Sequence, residues 1–390
     1  MKKSLPTIIA LLVIACSVIG LYFLDKNSSI EVPVINELNS NETVKPPQVV
    51  QLKTEIITEG LNKPWEIAFL PSGDFLINER GGSMTRFDAS GQQQAEISGL
   101  PDIYAQGEGG LLGLAVDPEF NSNNYVYACY DTREDIRLSR WQLADDELSD
   151  QTDIVTGMPV NTTTFPGRHS GCRMNFDEKN HLWIGTGDVA QSSNPQDPQS
   201  LGGKVLRVDR DGSPVKGNQG GEFDPRIFSY GHRNVQGIAL TENGVYPGYS
   251  IEHGPSKDDE INALVTGNFG WDPGDDYNES VPMTDIDTFP EAVDAVWSSG
   301  SPTLAPSGAS MVYGEQWGDY DGDLFVAMQK SMHLRHFKVN DDGSLGEETK
   351  LFENEFGRLR TVRQGPDSAL YILTDNGADQ DKIIKVTPTD

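Results

Sequence analysis

From residue 51 to the C-terminus the chain shows no long stretch of helical period. One pattern recurs instead: a short apolar, strand-like run, a turn rich in Pro, Asp, Gly or Asn, then a second apolar run. It begins with Trp65-Glu66-Ile67-Ala68-Phe69, a Pro71-Ser72-Gly73-Asp74 turn and Phe75-Leu76-Ile77. Leu112-Gly113-Leu114-Ala115-Val116 with Tyr125-Val126-Tyr127 is the second copy, and Arg173-Met174-Asn175-Phe176 with Leu182-Trp183-Ile184 the third. Gln236-Gly237-Ile238-Ala239-Leu240, Gly308-Ala309-Ser310-Met311-Val312 and Leu359-Arg360-Thr361-Val362 open the fourth, fifth and sixth. Six copies at about 50–60 residues each match a propeller period. One such unit cannot bury both of its faces, whereas units stacked in a ring cover one another. The pattern therefore predicts an all-β fold, a six-bladed β-propeller of four-stranded antiparallel blades over residues 51–390, with a β-sandwich of irregular loops as the alternative. In such a ring the loops at one end of the narrow channel form the natural site.

Ahead of residue 51 the pattern changes. Met1-Lys2-Lys3 precedes an almost wholly apolar run from Leu5 to Leu24, closed by Asp25. Residues 1–24 read as a signal peptide or membrane anchor. Val13-Ile14-Ala15-Cys16 resembles a bacterial lipobox, so lipid anchor, helical anchor and cleaved signal all stay open. Residues 25–50 lack periodicity and read as a flexible linker. The expectation is an exported protein, periplasmic or on the outer face of a bacterial membrane, with an N-terminal membrane tether.

Charge narrows the partners. The 390 residues carry 59 Asp plus Glu against 30 Lys plus Arg, a net charge of −29. So acidic a chain argues against nucleic-acid binding and leaves cation binding open. Beyond Cys16 only Cys129 and Cys172 remain. They show no metal-ligand spacing, and whether they pair stays open.

Against this acidic background a few basic and histidine-bearing stretches stand out. Gly167-Arg168-His169-Ser170-Gly171-Cys172-Arg173 sets one of only six histidines between small residues and arginines, just before a strand-like run. A neutral imidazole there can serve as a base; a turn histidine bonded to backbone is the plainer reading. Gly231-His232-Arg233-Asn234 opens the fourth repeat, Lys330 follows the strand Leu324–Met328, and Arg358-Leu359-Arg360 opens the sixth. The period-two spacing of Arg358 and Arg360 predicts both guanidinium groups on one face of a strand. Cations recurring at repeat entries suit a ligand with several carboxylates, although each could instead pair with one of the many acids. Glu252-His253-Gly254-Pro255-Ser256-Lys257-Asp258-Asp259-Glu260-Ile261-Asn262 offers carboxylates and turn carbonyls to a hard cation such as Ca²⁺, or forms an acidic solvated turn.

Taken in order, Gly109-Gly110-Leu111-Leu112-Gly113-Leu114-Ala115, Arg168-His169-Ser170-Gly171, Gly231-His232-Arg233-Asn234, Gly254-Pro255 with Asp259-Glu260-Ile261-Asn262, Phe269-Gly270-Trp271, Lys330 and Arg358-Leu359-Arg360 resemble the soluble quinoprotein glucose dehydrogenase and aldose sugar dehydrogenase family, from about residue 55 to the C-terminus. The resemblance implies a six-bladed propeller that holds pyrroloquinoline quinone (PQQ) at the channel mouth, oxidises an aldose sugar at its anomeric carbon to a lactone and passes electrons to an external acceptor. It implies His169 as general base and Arg233 and Asn234 as contacts near the reactive carbonyls of the cofactor. Lys330, Arg358 and Arg360 would clamp its carboxylates. Gly254 and Pro255 would be backbone ligands of a catalytic Ca²⁺, and Glu260 and Phe269 would belong to a second, structural Ca²⁺ site. Three positions depart from the family pattern. Glu108 stands where a cofactor-contacting Gln is common and would repel an anionic cofactor unless protonated or metal-bound. Cys172 replaces a usual Gly, and Tyr277 matches an aromatic cofactor contact only loosely. Two readings compete with the dehydrogenase: a Ca²⁺-dependent lactonase, and a non-catalytic carbohydrate- or protein-binding propeller.

Overall fold

The computed structural model describes residues 50–389. Residues 1–24 with Cys16, and all but the last residue of the linker, lie outside the described residues. The described chain forms six four-stranded antiparallel sheets. β1 (Gln51–Leu61) comes first in the chain but joins the sixth sheet, so the first blade is β2 (Pro64–Phe69), β3 (Phe75–Glu79), β4 (Ser83–Phe87) and β5 (Gln93–Glu96). The second is β6 (Leu111–Val116), β7 (Tyr125–Asp131), β8 (Ile136–Ala144) and β9 (Glu147–Met158). The third is β10 (Gly171–Phe176), β11 (Leu182–Thr186), β12 (Lys204–Val208) and β13 (Ile227–Tyr230). The fourth is β14 (Val235–Leu240), β15 (Gly248–Glu252), β16 (Glu260–Ala263) and β17 (Trp297–Ser298). The fifth is β18 (Pro306–Val312), β19 (Asp323–Met328), β20 (His333–Val339) and β21 (Leu345–Leu351). The sixth is β22 (Leu359–Gln364), β23 (Leu370–Thr374) and β24 (Asp381–Thr389), closed by β1 on its outer edge. The β1–β24 register runs from Gln51 opposite Thr389 to Leu61 opposite Asp381.

This is the six-bladed propeller that the repeat predicts. Each apolar pair read from the sequence is the inner two strands of a blade. Burial falls from the axis outward: β18 is buried at every position, whereas β5 and β21 are exposed along most of their length. The apolar core accordingly divides into six seams, one between each pair of neighbouring blades. One seam packs Ala68, Leu76 and Met84 against Leu111, Val126 and Trp141; another packs Tyr127 and Cys129 against Met174, Ile184 and Leu206. Each fully buried Leu, Ile or Val adds about 1.5–3 kcal/mol, so the ring is stabilised wherever two blades meet. Inner strands approach so closely that a Cβ at Gly113 would collide with the Cys172 carbonyl, and one at Gly237 with the Ser307 carbonyl. Cys129 of β7 and Cys172 of β10 are joined by a disulfide across the second and third blades, which answers the open question of their pairing.

Candidate active site

Antiparallel order brings the start of each inner strand and the end of the next strand to the same end of the ring. The loop 104–110 precedes β6, 161–170 precedes β10, and 231–234 precedes β14. The turns after β3, β11, β15, β19 and β23 join them there. A long excursion, residues 264–296 between β16 and β17, reaches the same group. Loops of such length usually carry function.

His169 sits in this group, buried and at φ +52°. A left-handed, non-glycine residue marks a position the surroundings impose. Gly187 lets the neighbouring turn close on it, because a Cβ there would collide with the His169 carbonyl. The His169 Nδ1 is 2.8 Å from Asp188 Oδ1, and its Nε2 accepts a hydrogen bond from Arg168 Nε at 3.2 Å. A donor on Nε2 and a carboxylate at Nδ1 assign the proton to Nδ1 and leave the Nε2 lone pair as the basic one. Asp188 follows β11 and is wholly buried. It also accepts from Ala190 N (2.8 Å), Trp271 Nε1 (2.8 Å) and the Tyr277 hydroxyl (2.7 Å). Burial pushes the Asp188 carboxyl up, but His169 and the other donors outweigh it and the net direction is down. Tyr277, also at positive φ, has its hydroxyl raised by burial and by the Asp188 charge, so it stays a donor.

Arg233 and Asn234 open β14, both buried. Arg233 Nη1 donates to the His253 carbonyl at 2.7 Å, Nη2 pairs with Glu279, and Nε is buried without a partner. Asn234 Oδ1 accepts from Gln236 Nε2 at 3.1 Å, and Gln236 Oε1 accepts from Arg360 Nη1 at 3.2 Å. That chain links the fourth blade to the sixth across the axis.

The clamp residues lie in the same group, with two corrections to the expectation. First, β22 begins at Leu359, after Arg358, and its ladder is irregular between Leu359 and Thr361. Strand alternation therefore does not align the two guanidinium groups. Asp375, after β23, does so: Arg360 Nε and Nη2 bond its carboxylate, and Arg358 Nε bonds its carbonyl at 3.2 Å. Second, Arg360 and Arg233 are each already paired with an acid. Arg358 rests on the neutral Gln329 at 2.6 Å and, like Lys330, is exposed. Arg80, after β3, joins this set. Burial lowers its guanidinium, as do Arg360 and Arg358, against the opposing pull of Asp375 and Glu108.

Glu108 is reached by solvent, yet its Oε2 accepts the His169 backbone N–H at 3.1 Å. Crowding by protein works to raise its carboxyl, but His169, His253 and Arg233 bring the net direction down. It is held ionised by its neighbours, so the protonated form considered from sequence is not the one the structure favours.

The two positions expected to hold cations differ. At the first, the Gly254 carbonyl accepts from His253 Nδ1 at 2.6 Å, and Gly254 N donates to Asp259; a cation there would share that carbonyl, through its second lone pair, with His253. Pro255 beside it is partly exposed. At the second, Glu260 lies buried beside Glu252, with Asn262 Nδ2 3.3–3.4 Å from both carboxyls and Asn262 Oδ1 buried without a partner. Burial and the Glu252 charge push the Glu260 carboxyl up to about 8. Phe269 stacks at 4.5 Å on His232, which bonds Glu252. Two buried carboxyls and an orphaned amide oxygen suit a hard cation. Among the described residues no group of three or more His, Cys, Asp or Glu side chains converges as a metal cage.

Asp188, Arg80 and Glu279 were not found from the sequence. For Asp188 a signal existed: a lone acid after Gly-Thr-Gly at the end of an apolar strand, 19 residues from the histidine it meets only once folded. Arg80 and Glu279 carried none.

Known proteins resemble this chain along most of its described length. The sequence profile of the family described as Glucose / Sorbosone dehydrogenase matches residues 61–385. Aldose sugar dehydrogenase YliI of Escherichia coli K12 is 31% identical over 363 residues, 86% of this chain and 93% of that protein. Quinoprotein glucose dehydrogenase B of Acinetobacter calcoaceticus is 30% identical over 267 residues, 58% of this chain and 54% of that one. The PQQ-bound aldose sugar dehydrogenase of Streptomyces coelicolor superposes with a TM-score of 0.73 at 29% identity, covering 88% of this chain and 100% of that chain.

Proposed function

This chain belongs to the glucose/sorbosone dehydrogenase family, and from that premise we propose that it oxidises the anomeric carbon of aldose sugars to lactones with PQQ as cofactor. The observation that carries the proposal is the His169–Asp188 pair, with the basic lone pair assigned to Nε2 under Arg168, beside Arg233 and a set of cations from the first, fifth and sixth blades. The buried, unpartnered Arg233 Nε and the exposed Lys330 and Arg358 fit an anionic, oxygen-rich ring. When bound, PQQ would supply the hydride acceptor.

His169 Nε2 would take the proton of the anomeric hydroxyl as the hydride leaves the same carbon and the C=O bond of the lactone forms. Asp188 would hold Nδ1–H in place and balance the charge that His169 gains. Arg233 and Asn234 would orient the cofactor near its reactive carbonyls; Lys330, Arg358, Arg360 and Tyr277 would hold its periphery, and Glu108 would sit beside it. Gly254 and Pro255 would offer carbonyls to one Ca²⁺, and Glu260 and the Phe269 carbonyl would hold another. Export with a tether in residues 1–24 and delivery of electrons to an external acceptor complete the proposal; their support is the apolar run Leu5–Leu24 and the redox chemistry itself.

The test is titration of the apoprotein with PQQ and Ca²⁺, followed by absorbance, and then dye reduction with a panel of aldoses. The expected result is saturable PQQ binding and aldose-dependent dye reduction. His169→Ala should lower turnover by about 10²–10⁴-fold while PQQ still binds. No spectral change and no dye reduction with any aldose refute the proposal.

A further inference from the structure

The inference rests on the reading above and concerns a residue that reading does not use. Glu279 lies on the long excursion between β16 and β17. Its Oε1 accepts from Arg168 Nη2 at 2.7 Å and from Arg233 Nη2. One carboxylate oxygen therefore joins the arginine that covers the His169 Nε2 lone pair to the arginine that would face the cofactor. Arg168 Nε is 3.2 Å from His169 Nε2. The Arg168 and Glu279 side chains are 28% and 32% exposed, while that of Arg233 is 3% exposed. The outer two members of the strap can thus swing into solvent, and the inner one cannot.

The geometry points to Glu279 as an internal stand-in for the cofactor's own oxygens: it occupies Arg233 and, through Arg168, keeps the base covered until an anionic cofactor displaces it. Arginine grips carboxylate through directed, charge-assisted bonds. Two arginines on one oxygen hold Glu279 more firmly than a solvated surface pair is held. A ligand that takes Arg233 removes half of that grip, frees Glu279 to leave with Arg168, and uncovers Nε2. Loading the cofactor and exposing the base are then one event, and the empty protein presents no open base to solvent. The carboxylate belongs to Glu279 alone, since Glu108 bonds the His169 backbone and Asp188 the opposite ring nitrogen.

Two measurements test this on the full-length protein. The first is absorbance titration with PQQ of wild type and Glu279→Gln, with thermal melting of each as a check on folding. Removing the competing charge should tighten PQQ binding about tenfold. The second is the ¹⁵N signal of His169 Nε2 in histidine-labelled protein, assigned with His169→Gln. Adding PQQ to wild type should shift it, and Glu279→Gln should show a similar shift before any PQQ is added. Unchanged or weaker PQQ binding by a normally melting Glu279→Gln overturns the inference while leaving the dehydrogenase reading intact. A wild-type Nε2 signal that ignores bound PQQ overturns it without reference to any variant. Failure of wild type to bind PQQ refutes the reading on which it rests.

Discussion

Asp188→Asn tests the site at its most constrained point. Four donors converge on this carboxylate: His169 Nδ1–H and Ala190 N–H on Oδ1, Trp271 Nε1–H and the Tyr277 hydroxyl on Oδ2. A carboxylate satisfies all four, whereas an amide offers one acceptor oxygen and turns two N–H groups toward the remaining donors. Two buried bonds are lost in either orientation. At about 1–3 kcal/mol for each unsatisfied donor, the loss is about 2–6 kcal/mol of stability, less whatever the Tyr277 hydroxyl recovers by rotating. If the amide nitrogen faces His169, the ring must accept at Nδ1 and carry its proton on Nε2, the atom required to be bare. General-base assistance is worth about 10²–10⁴-fold, or about 3–5 kcal/mol of barrier at 1.36 kcal/mol per decade. The assay is steady-state dye reduction by PQQ-loaded protein, with melting and PQQ titration alongside. The variant should melt lower and lose at least about 100-fold in kcat, with PQQ binding little changed. A variant that turns over within about threefold of wild type, with the same pH profile, would refute the assignment of the proton to Nδ1.

Three further outcomes follow from other parts of the fold. Burial raises Asp131 to about 7, only partly offset by the Ser170 hydroxyl, and its Oδ1 has no partner. The folded state therefore holds this proton more tightly than the unfolded chain, and the stability it contributes is full below about pH 4 and shed as pH rises to about 7; Asp131→Asn should melt above wild type at pH 8 but not at pH 5. The disulfide spans a sequence separation of 43 residues, for which loop-closure entropy gives about 4 kcal/mol, so Cys129→Ala with Cys172→Ala should lower the denaturant midpoint correspondingly, and a midpoint unmoved would show that the bond constrains little. Ca²⁺ should raise the melting temperature of wild type more than that of Glu260→Gln, which keeps only the Gly254–Pro255 position; equal shifts in both would show that Glu260 holds no cation.

The sequence displayed the inner half of each blade because those strands combine apolar runs with turn residues that the backbone requires. The outer strands escaped notice for a physical reason: β5 is Gln-Gln-Ala-Glu at a solvent edge and β17 spans two residues, so neither carries a burial pattern. Within the loop cluster, His169, Arg233, Lys330, Arg358 and Arg360 were legible as scarce basic or imidazole side chains, and Asn234 as the neighbour of Arg233. Asp375 and Glu279 were not, because one acid among 59 carries no signal until folding brings it to a particular base, and Asp188 offered only its place after Gly-Thr-Gly. The alternation expected for Arg358 and Arg360 failed at an irregular ladder, a feature that no periodicity announces.

The closure of the sixth blade sets an order of events in making the protein. Gln51–Leu61 is synthesised before any other strand of the ring, yet its partner Asp381–Thr389 is made after all the others. The earliest strand therefore keeps an open edge until the latest one has been made, and only then is the circle sealed. A chain lacking Asp381–Thr389 would lose the latest strand of the ring and orphan the earliest, so damage at one place in the sequence should be felt at another far from it.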